Sequence, residues 1–313
     1  MCAKISSVVI LWHNGEVVNK IYSMKEYFAK KYAFQVQKIT VSLDFTCPNI
    51  DGRVGSGGCI YCLDGSVPHK KEKRVPLKEQ IKKGIESGDK RFGAGTRYMV
   101  YFQTNSNTYA AVATLKEMYA SVFEFDRVIG IAIGTRPDCV GEEVLDILKT
   151  YATAGKEVWL ELGLQSANEA TLIKINRGHT VATFVDAVKR AKHKGIKVAA
   201  HVIVGFPWET IKDFLASATL LVELGVEGIK IHPLYILEGT PLGEMYKKEP
   251  FELLTLNAYV GALAQMVKIL PENTIIMRVS AEGYDSCLLA PEYCSTKYKS
   301  KIKAMLETEL QIR

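Results

Sequence analysis

The sequence predicts an α/β fold, a partial (βα)6 barrel of the TIM type with a C-terminal α/β extension, on two observations. Short β-branched and aromatic runs alternate six times with longer segments of helical period, a pattern that calls for parallel strands with helices outside rather than a sandwich. Polar clusters also recur just after the runs that read as strands. In a parallel α/β barrel that edge is where the strand-to-helix loops build one shared pocket.

In chain order, residues 1–37 form a lead-in, residues 38–235 the barrel and residues 236–313 the extension. The lead-in carries Tyr22, Tyr27, Phe28, Tyr32 and Phe34, an aromatic set expected to pack against the barrel. Strands are predicted over 38–43, 97–102, 128–134, 157–162, 197–204 and 228–231. Helices are predicted over 77–87, 110–121, 142–153, 183–194 and 211–224, where apolar residues recur with helical spacing. Gly195 and Gly225 fall at the ends of two of these helices, where a left-handed residue closes the last turn. Beyond the sixth unit, 237–242 reads as a turn, 251–269 as a helix, 274–279 as a strand and 300–310 as a basic amphipathic helix. This tail is expected to cap the barrel rather than form an independent domain.

At 313 residues with 48% hydrophobic content, the chain has ample material for one large core. The early apolar stretch 8–12 is interrupted by His13 and Asn14, too short for a membrane span and without the layout of a signal peptide. A cytoplasmic location and no membrane partner are therefore expected. Seven cysteines in such a chain point to reduced thiols, and the clustering of three of them points to metal rather than a disulfide frame. Cys2, Cys139, Cys287 and Cys294 read as small apolar residues. The formal charge of +6, with basic stretches at 69–74 and 297–303, favours polyanions without specifying one.

The clustered cysteines are Cys47, Cys59 and Cys62, on a Gly-rich loop after the first predicted strand. Three soft thiolates leave a position open. A structural zinc closes its shell with four protein ligands, for which His69 could serve, whereas a cubane [4Fe-4S] cluster held by three cysteines leaves one iron for an exogenous ligand. Spacing alone allows either. Among the strand-end clusters, Glu161 lies inside an apolar strand, where a carboxylate is costly to bury without a partner; Arg136 or Arg177 is the expected counter-charge. His179 and His232 also fall at this edge.

The segments Phe45-Thr-Cys-Pro-Asn49, Gly57-Gly-Cys-Ile-Tyr-Cys62, Asn107-Thr-Tyr-Ala110, Ile133-Gly-Thr-Arg-Pro-Asp138, Glu161-Leu-Gly-Leu-Gln-Ser166, Asn176-Arg-Gly-His179 and Gly228-Ile-Lys-Ile-His232, in this order of elements, resemble the radical S-adenosylmethionine superfamily. The Cys-x11-Cys-x2-Cys spacing departs from the commoner Cys-x3-Cys-x2-Cys. It is similar to the expanded loop of the branch containing the Elongator catalytic subunit, and closer still to the YhcC/YtqA-type family. The resemblance implies that Cys47, Cys59 and Cys62 ligate a [4Fe-4S] cluster and that S-adenosylmethionine chelates its remaining iron. Reductive cleavage then gives a 5′-deoxyadenosyl radical that abstracts hydrogen from the substrate. It also implies cofactor contacts from Gln103, Asn105, Arg136, Glu161, Gln165, Arg177 and His201, and an electron donor such as flavodoxin or ferredoxin. A tRNA nucleoside is the substrate class the Elongator kinship suggests. The alternatives are a zinc protein with a Cys3His shell and a non-catalytic RNA-binding module resting on the positive charge.

Overall fold

The computed structural model describes residues 21–63, 75–281 and 285–311. It begins with α1 (Met24–Lys31), opened by a capping box: Glu26 N–H donates to Ser23 Oγ, and Ser23 N–H donates to the Glu26 carboxylate at 2.9 Å. Five βα units and a sixth strand follow at the places expected. They are β1 (Val36–Val41) and α2 (Leu77–Phe92), β2 (Arg97–Phe102) and α3 (Val112–Val122), β3 (Val128–Thr135) and α4 (Glu142–Thr153), β4 (Glu157–Gln165) with α5 (Glu169–Lys174) and α6 (Val181–His193), β5 (Lys197–Val204) and α7 (Ile211–Glu223), and β6 (Gly228–Pro233). Gly195 and Gly225, at φ +74° and +59°, occupy the left-handed positions expected of them.

The extension contributes β7 (Ile236–Leu237), α8 (Pro241–Lys248), α9 (Leu256–Ile269), β8 (Ile275–Arg278), β9 (Leu288–Ala290) and α10 (Lys299–Glu309). α9 starts later than the spacing predicts: Thr255 caps it by accepting from Ala258 N–H, while Phe251 and Leu253 pack elsewhere, beside Phe206 and Leu242. The strand predicted over 274–279 becomes the seventh of the main sheet. That sheet is wholly parallel, ordered β1-β2-β3-β4-β5-β6-β8, and it is an open, curled half-barrel whose edge strands are β1 and β8, the latter bridged at Ile276 by Ser23. β7 and β9 form a separate antiparallel pair.

Strand alternation splits the core in two. The outward residues Val100, Ile131, Leu160, Val198 and Ile229 pack against the helices through Leu115, Leu145, Phe184 and Leu221. The inward residues Met99, Ala132, Trp159, Ala199 and Ile275 form a lower apolar layer together with Phe28 of α1. Glu157 sits beside it, receiving Tyr27 and Tyr32 hydroxyls at 2.6 and 2.8 Å and the Trp159 indole N–H at 2.8 Å, with Lys31 as counter-charge. These bonds tie α1 across the bottom of the barrel. Above this layer the inward positions turn polar.

Candidate active site

The cysteine loop folds in a way that explains its long spacing. Asp51 and Ser56 form an isolated antiparallel bridge, and Gly58 N–H donates to Asn49 C=O at 2.8 Å. Residues 50–57 are thus a closed excursion from the loop. Between Cys47 and Cys59 the path across its base runs through Pro48, Asn49 and Gly58, three residues, so the commoner Cys-x3-Cys-x2-Cys arrangement is restored in space. Cys62 N–H donates to Cys59 C=O at 2.9 Å and closes the second turn.

The Asn176–His179 turn clamps this loop from the far side of the barrel. Asn176, at φ +52°, donates from its amide to the carbonyls of Gly58 at 2.7 Å and Ser56 at 3.2 Å, and Asn49 Nδ2 donates back to Asn176 C=O at 2.6 Å. A Cβ on Gly55 or Gly178 would come within 2.3 or 2.7 Å of Asn49 Oδ1, so both positions keep room for that side chain. Arg177 is buried and its fork is divided: Nε donates to His179 Nε2 at 2.8 Å, Nη2 to Gly163 C=O at 2.9 Å and Nη1 to Cys59 Sγ at 3.6 Å. A Cβ on Gly163 would collide with Nη2 at 2.5 Å. Asn49 Nδ2 lies 3.7 Å from the same sulfur, so Cys59 receives two N–H donors, one of them cationic. His179 is held neutral at about 3 by burial and by the neighbouring Arg177 charge. Its Nδ1, 3.1 Å from Thr180 C=O, then carries the proton and Nε2 accepts from Arg177.

The strand-end loops bring the remaining candidates to the same rim. Gln103 follows β2, and Thr104 and Asn105 take left-handed φ of +68° and +53°, costly conformations that concentrate at functional sites. Asn105 Nδ2 donates to Phe45 C=O at 2.9 Å, tying this loop to the start of the cysteine loop. Gln165 lies at a register shift of β4 against β5, with φ +74°; such a bulge re-aims a side chain. Arg136 makes a bidentate pair with Asp138 at 2.9 Å and donates to Arg177 C=O at 2.7 Å. It braces the clamp.

The floor is a buried charged cluster. Glu161 is fully covered and pairs with Lys230 of β6, with His201 Nε2 at 2.9 Å and with Lys38 of β1 at 3.4 Å. The counter-charge expected from Arg136 or Arg177 therefore comes from Lys230, because Glu161 points into the barrel below the rim that holds the two arginines. Burial works against the Glu161 charge, but the Lys230 and Lys38 ammonium groups hold its pKa well below the usual carboxylate value. Lys230 also donates to Tyr101 Oη at 2.9 Å. Burial, with Lys38 and Arg278 nearby, pulls its pKa down to about 8. His201 is lowered to about 4 by burial and Lys230, and burial and the neighbouring His201 hold His232 well below the usual histidine value, so both rings are neutral at neutral pH. Lys230 and Arg278 were missed in the sequence, although a lone charge inside the apolar run 228–233 is the same signal that singled out Glu161.

All ten candidates line one cavity of about 510 Å³: Cys47, Cys59, Cys62, Gln103, Asn105, Arg136, Glu161, Gln165, Arg177 and His201. His232, Arg278 and Tyr101 line it too. That volume lies in the range of small-molecule sites. Among the described residues no three His, Cys, Asp or Glu side chains converge as the shell of one ion; the three cysteines line the cavity together. The His69 of the zinc alternative lies outside the described residues. The donor set fits an iron–sulfur cluster: three thiol ligands on closed turns, one sulfur already receiving N–H donors, and polar groups beyond them.

Two family models match the chain, the Radical SAM superfamily over residues 50–221 and the Radical SAM C-terminal domain over residues 226–308. Protein YhcC of Escherichia coli K12 is 35% identical over 274 residues, 88% of this chain and 87% of its own length. YtqA of Bacillus subtilis is 34% identical over 298 residues, 93% of this chain and 88% of its own. Among solved structures, the Methanocaldococcus infernus Elp3 with an N-terminal deletion superposes with a TM-score of 0.67 at 18% identity, covering 89% of this chain and 64% of that one. At that identity the likeness is one of fold.

Proposed function

The chain belongs to the radical SAM superfamily, an enzyme class that uses a [4Fe-4S] cluster and S-adenosylmethionine and needs a reductant, and on that premise we propose that Cys47, Cys59 and Cys62 hold the cluster and that the substrate is a tRNA nucleoside. The observation that carries the first part is the excursion of residues 50–57, whose closed base leaves the three cysteines on one rim of a polar cavity. When bound, the reduced cluster supplies one electron that cleaves S-adenosylmethionine to methionine and a 5′-deoxyadenosyl radical able to take hydrogen from an unactivated carbon.

The chain's own residues do the positioning. Arg177 and Asn49 orient Cys59, and Arg136 locks the Arg177 turn. Gln103, Asn105 and Gln165 present amides at the rim, suited to the polar groups of the cofactor. Glu161 is spent on Lys230, His201 and Lys38, so its part is to hold the floor. The neutral His201 and His232 offer hydrogen-bond partners without charge. The substrate class rests on the Elongator-like kinship and the net charge of +6, and we assign the electron to a flavodoxin or ferredoxin.

Anaerobically purified protein should be brown and carry about four irons and four sulfides per chain. With S-adenosylmethionine and a strong reductant it should release 5′-deoxyadenosine and methionine. Colourless protein with stoichiometric zinc after anaerobic reconstitution refutes the cluster assignment. Mass spectrometry of tRNA nucleosides from cells with and without the protein tests the substrate: one missing mass is expected, and identical nucleoside profiles refute it.

A further inference from the structure

We propose that the open side of the half-barrel binds the phosphate backbone of a polynucleotide and leads it to the active cavity. The sheet leaves β1 and β8 unpaired with each other. A second cavity of about 640 Å³ lies in that opening, lined by both edge strands and by α1 and α10. Its cations are Lys25, Lys38, Lys230, Arg278, Lys299 and Lys303; Glu161 pairs with Lys38 and Lys230 at the inner end, which leaves Lys25, Lys299 and Lys303 as the cations of the outer part. The charges run from inside to out: the Lys230 side chain is 3% exposed, Lys38 27% and Lys303 65%.

Tyr101 and Arg278 line this cavity and the cysteine cavity alike, so the groove's inner end adjoins the active-site floor. Phe28, Met277 and Tyr101 line it as well, Phe28 and Tyr101 from the buried layer beneath. A set of cations along the open edge matches the phosphates of a nucleic-acid backbone. The Glu307 contact of Lys303, 3.7 Å between exposed side chains, is too weak to compete with a phosphate. This inference rests on the tRNA reading: a nucleoside entering through the slot must bring its flanking phosphates along the rim.

The test measures binding of a fluorescent tRNA transcript to the full, cluster-loaded chain across a salt series. Lys299→Glu/Lys303→Gln is compared with Lys149→Glu/Lys189→Gln, an equal charge change on the exposed faces of α4 and α6. A glutamate at position 299 sits at the α10 N-terminus, where the helix dipole favours it, so the helix is retained. The α10 variant should bind at least about tenfold more weakly, with the slope of log K against log salt shallower by about 0.7–0.9 per lost phosphate contact. The control should bind within about twofold of wild type.

Equal weakening of both variants, or of neither, overturns the groove and leaves the tRNA reading standing. Wild type that binds no tRNA while still cleaving S-adenosylmethionine overturns both groove and tRNA reading but not the cluster. Binding that depends on α10 in a chain that cannot cleave the cofactor supports the groove and defeats the enzyme reading. Displacement of tRNA by polyglutamate at equal charge concentration overturns the choice of a polynucleotide.

Discussion

Replacing Lys230 by Met tests whether that ammonium compensates Glu161. The Glu161 side chain has no exposed surface, and its other partners are Lys38 at 3.4 Å and a His201 ring that burial keeps neutral. Removing one partner of a buried ion pair costs about 3–5 kcal/mol, because the remaining charge is left unpaired. Lys38 still reaches the carboxylate, which places the expected loss at the lower end, about 3 kcal/mol. At about 2–4 °C per kcal/mol for domains approaching this size, the melting temperature should fall by about 6–12 °C. Glu161→Gln should cost less, since without the carboxylate the Lys230 pKa drops below its present value of about 8 and the amine sheds its proton. The double variant Glu161→Met/Lys230→Met, an apolar pair of similar volume, should recover to within about 1 kcal/mol of wild type. Anaerobic urea unfolding of the four proteins reads all three values. If Lys230→Met unfolds within about 0.5 kcal/mol of wild type, or the double variant is no better than the single, Lys230 does not hold the Glu161 charge and the account of the floor is wrong.

The lowered Lys230 pKa also gives a pH signature. From about 8 to the usual lysine value of 10.5, the unfolded chain holds a proton that the folded chain has lost. Stability contributed by Lys230 should therefore rise with pH across that window; the difference between wild type and Lys230→Met, measured from pH 7 to 10.5, should grow, and a flat difference contradicts it. Cys47→Ala, Cys59→Ala and Cys62→Ala should each lose the cluster iron and all cofactor cleavage, whereas Cys139→Ala, Cys287→Ala and Cys294→Ala should keep the colour; iron analysis and absorbance decide. Asn49→Ala and Arg177→Gln remove donors from Cys59 Sγ, so each should disfavour the reduced cluster by about tenfold, a fall of about 59 mV for one electron. A spectroelectrochemical titration that finds both potentials unchanged removes that role.

The barrel was legible because its signals are local. The run 197–204 is mostly apolar, rich in valine, and ends at a Gly-Phe-Pro turn, and the segment 142–153 has a helical apolar stripe; both became elements at those limits. What the sequence concealed depends on contacts between distant residues. The eleven-residue gap between Cys47 and Cys59 reads as a departure from the commoner spacing until Asn49 meets Gly58 and Asn176 closes over both from more than a hundred residues away. Likewise the partner of Glu161 lies 69 positions further on, brought beside it only when β5 and β6 curl the sheet. Arg177 is another case: from the sequence its position suits a cofactor carboxylate, and the fold adds that each of its three nitrogens donates, to His179, Gly163 and Cys59, while the residue lines the cavity. With Cys59 as the proposed cluster ligand, the Arg177 contact to its sulfur makes the reduction potential a quantity that should respond to loss of the arginine.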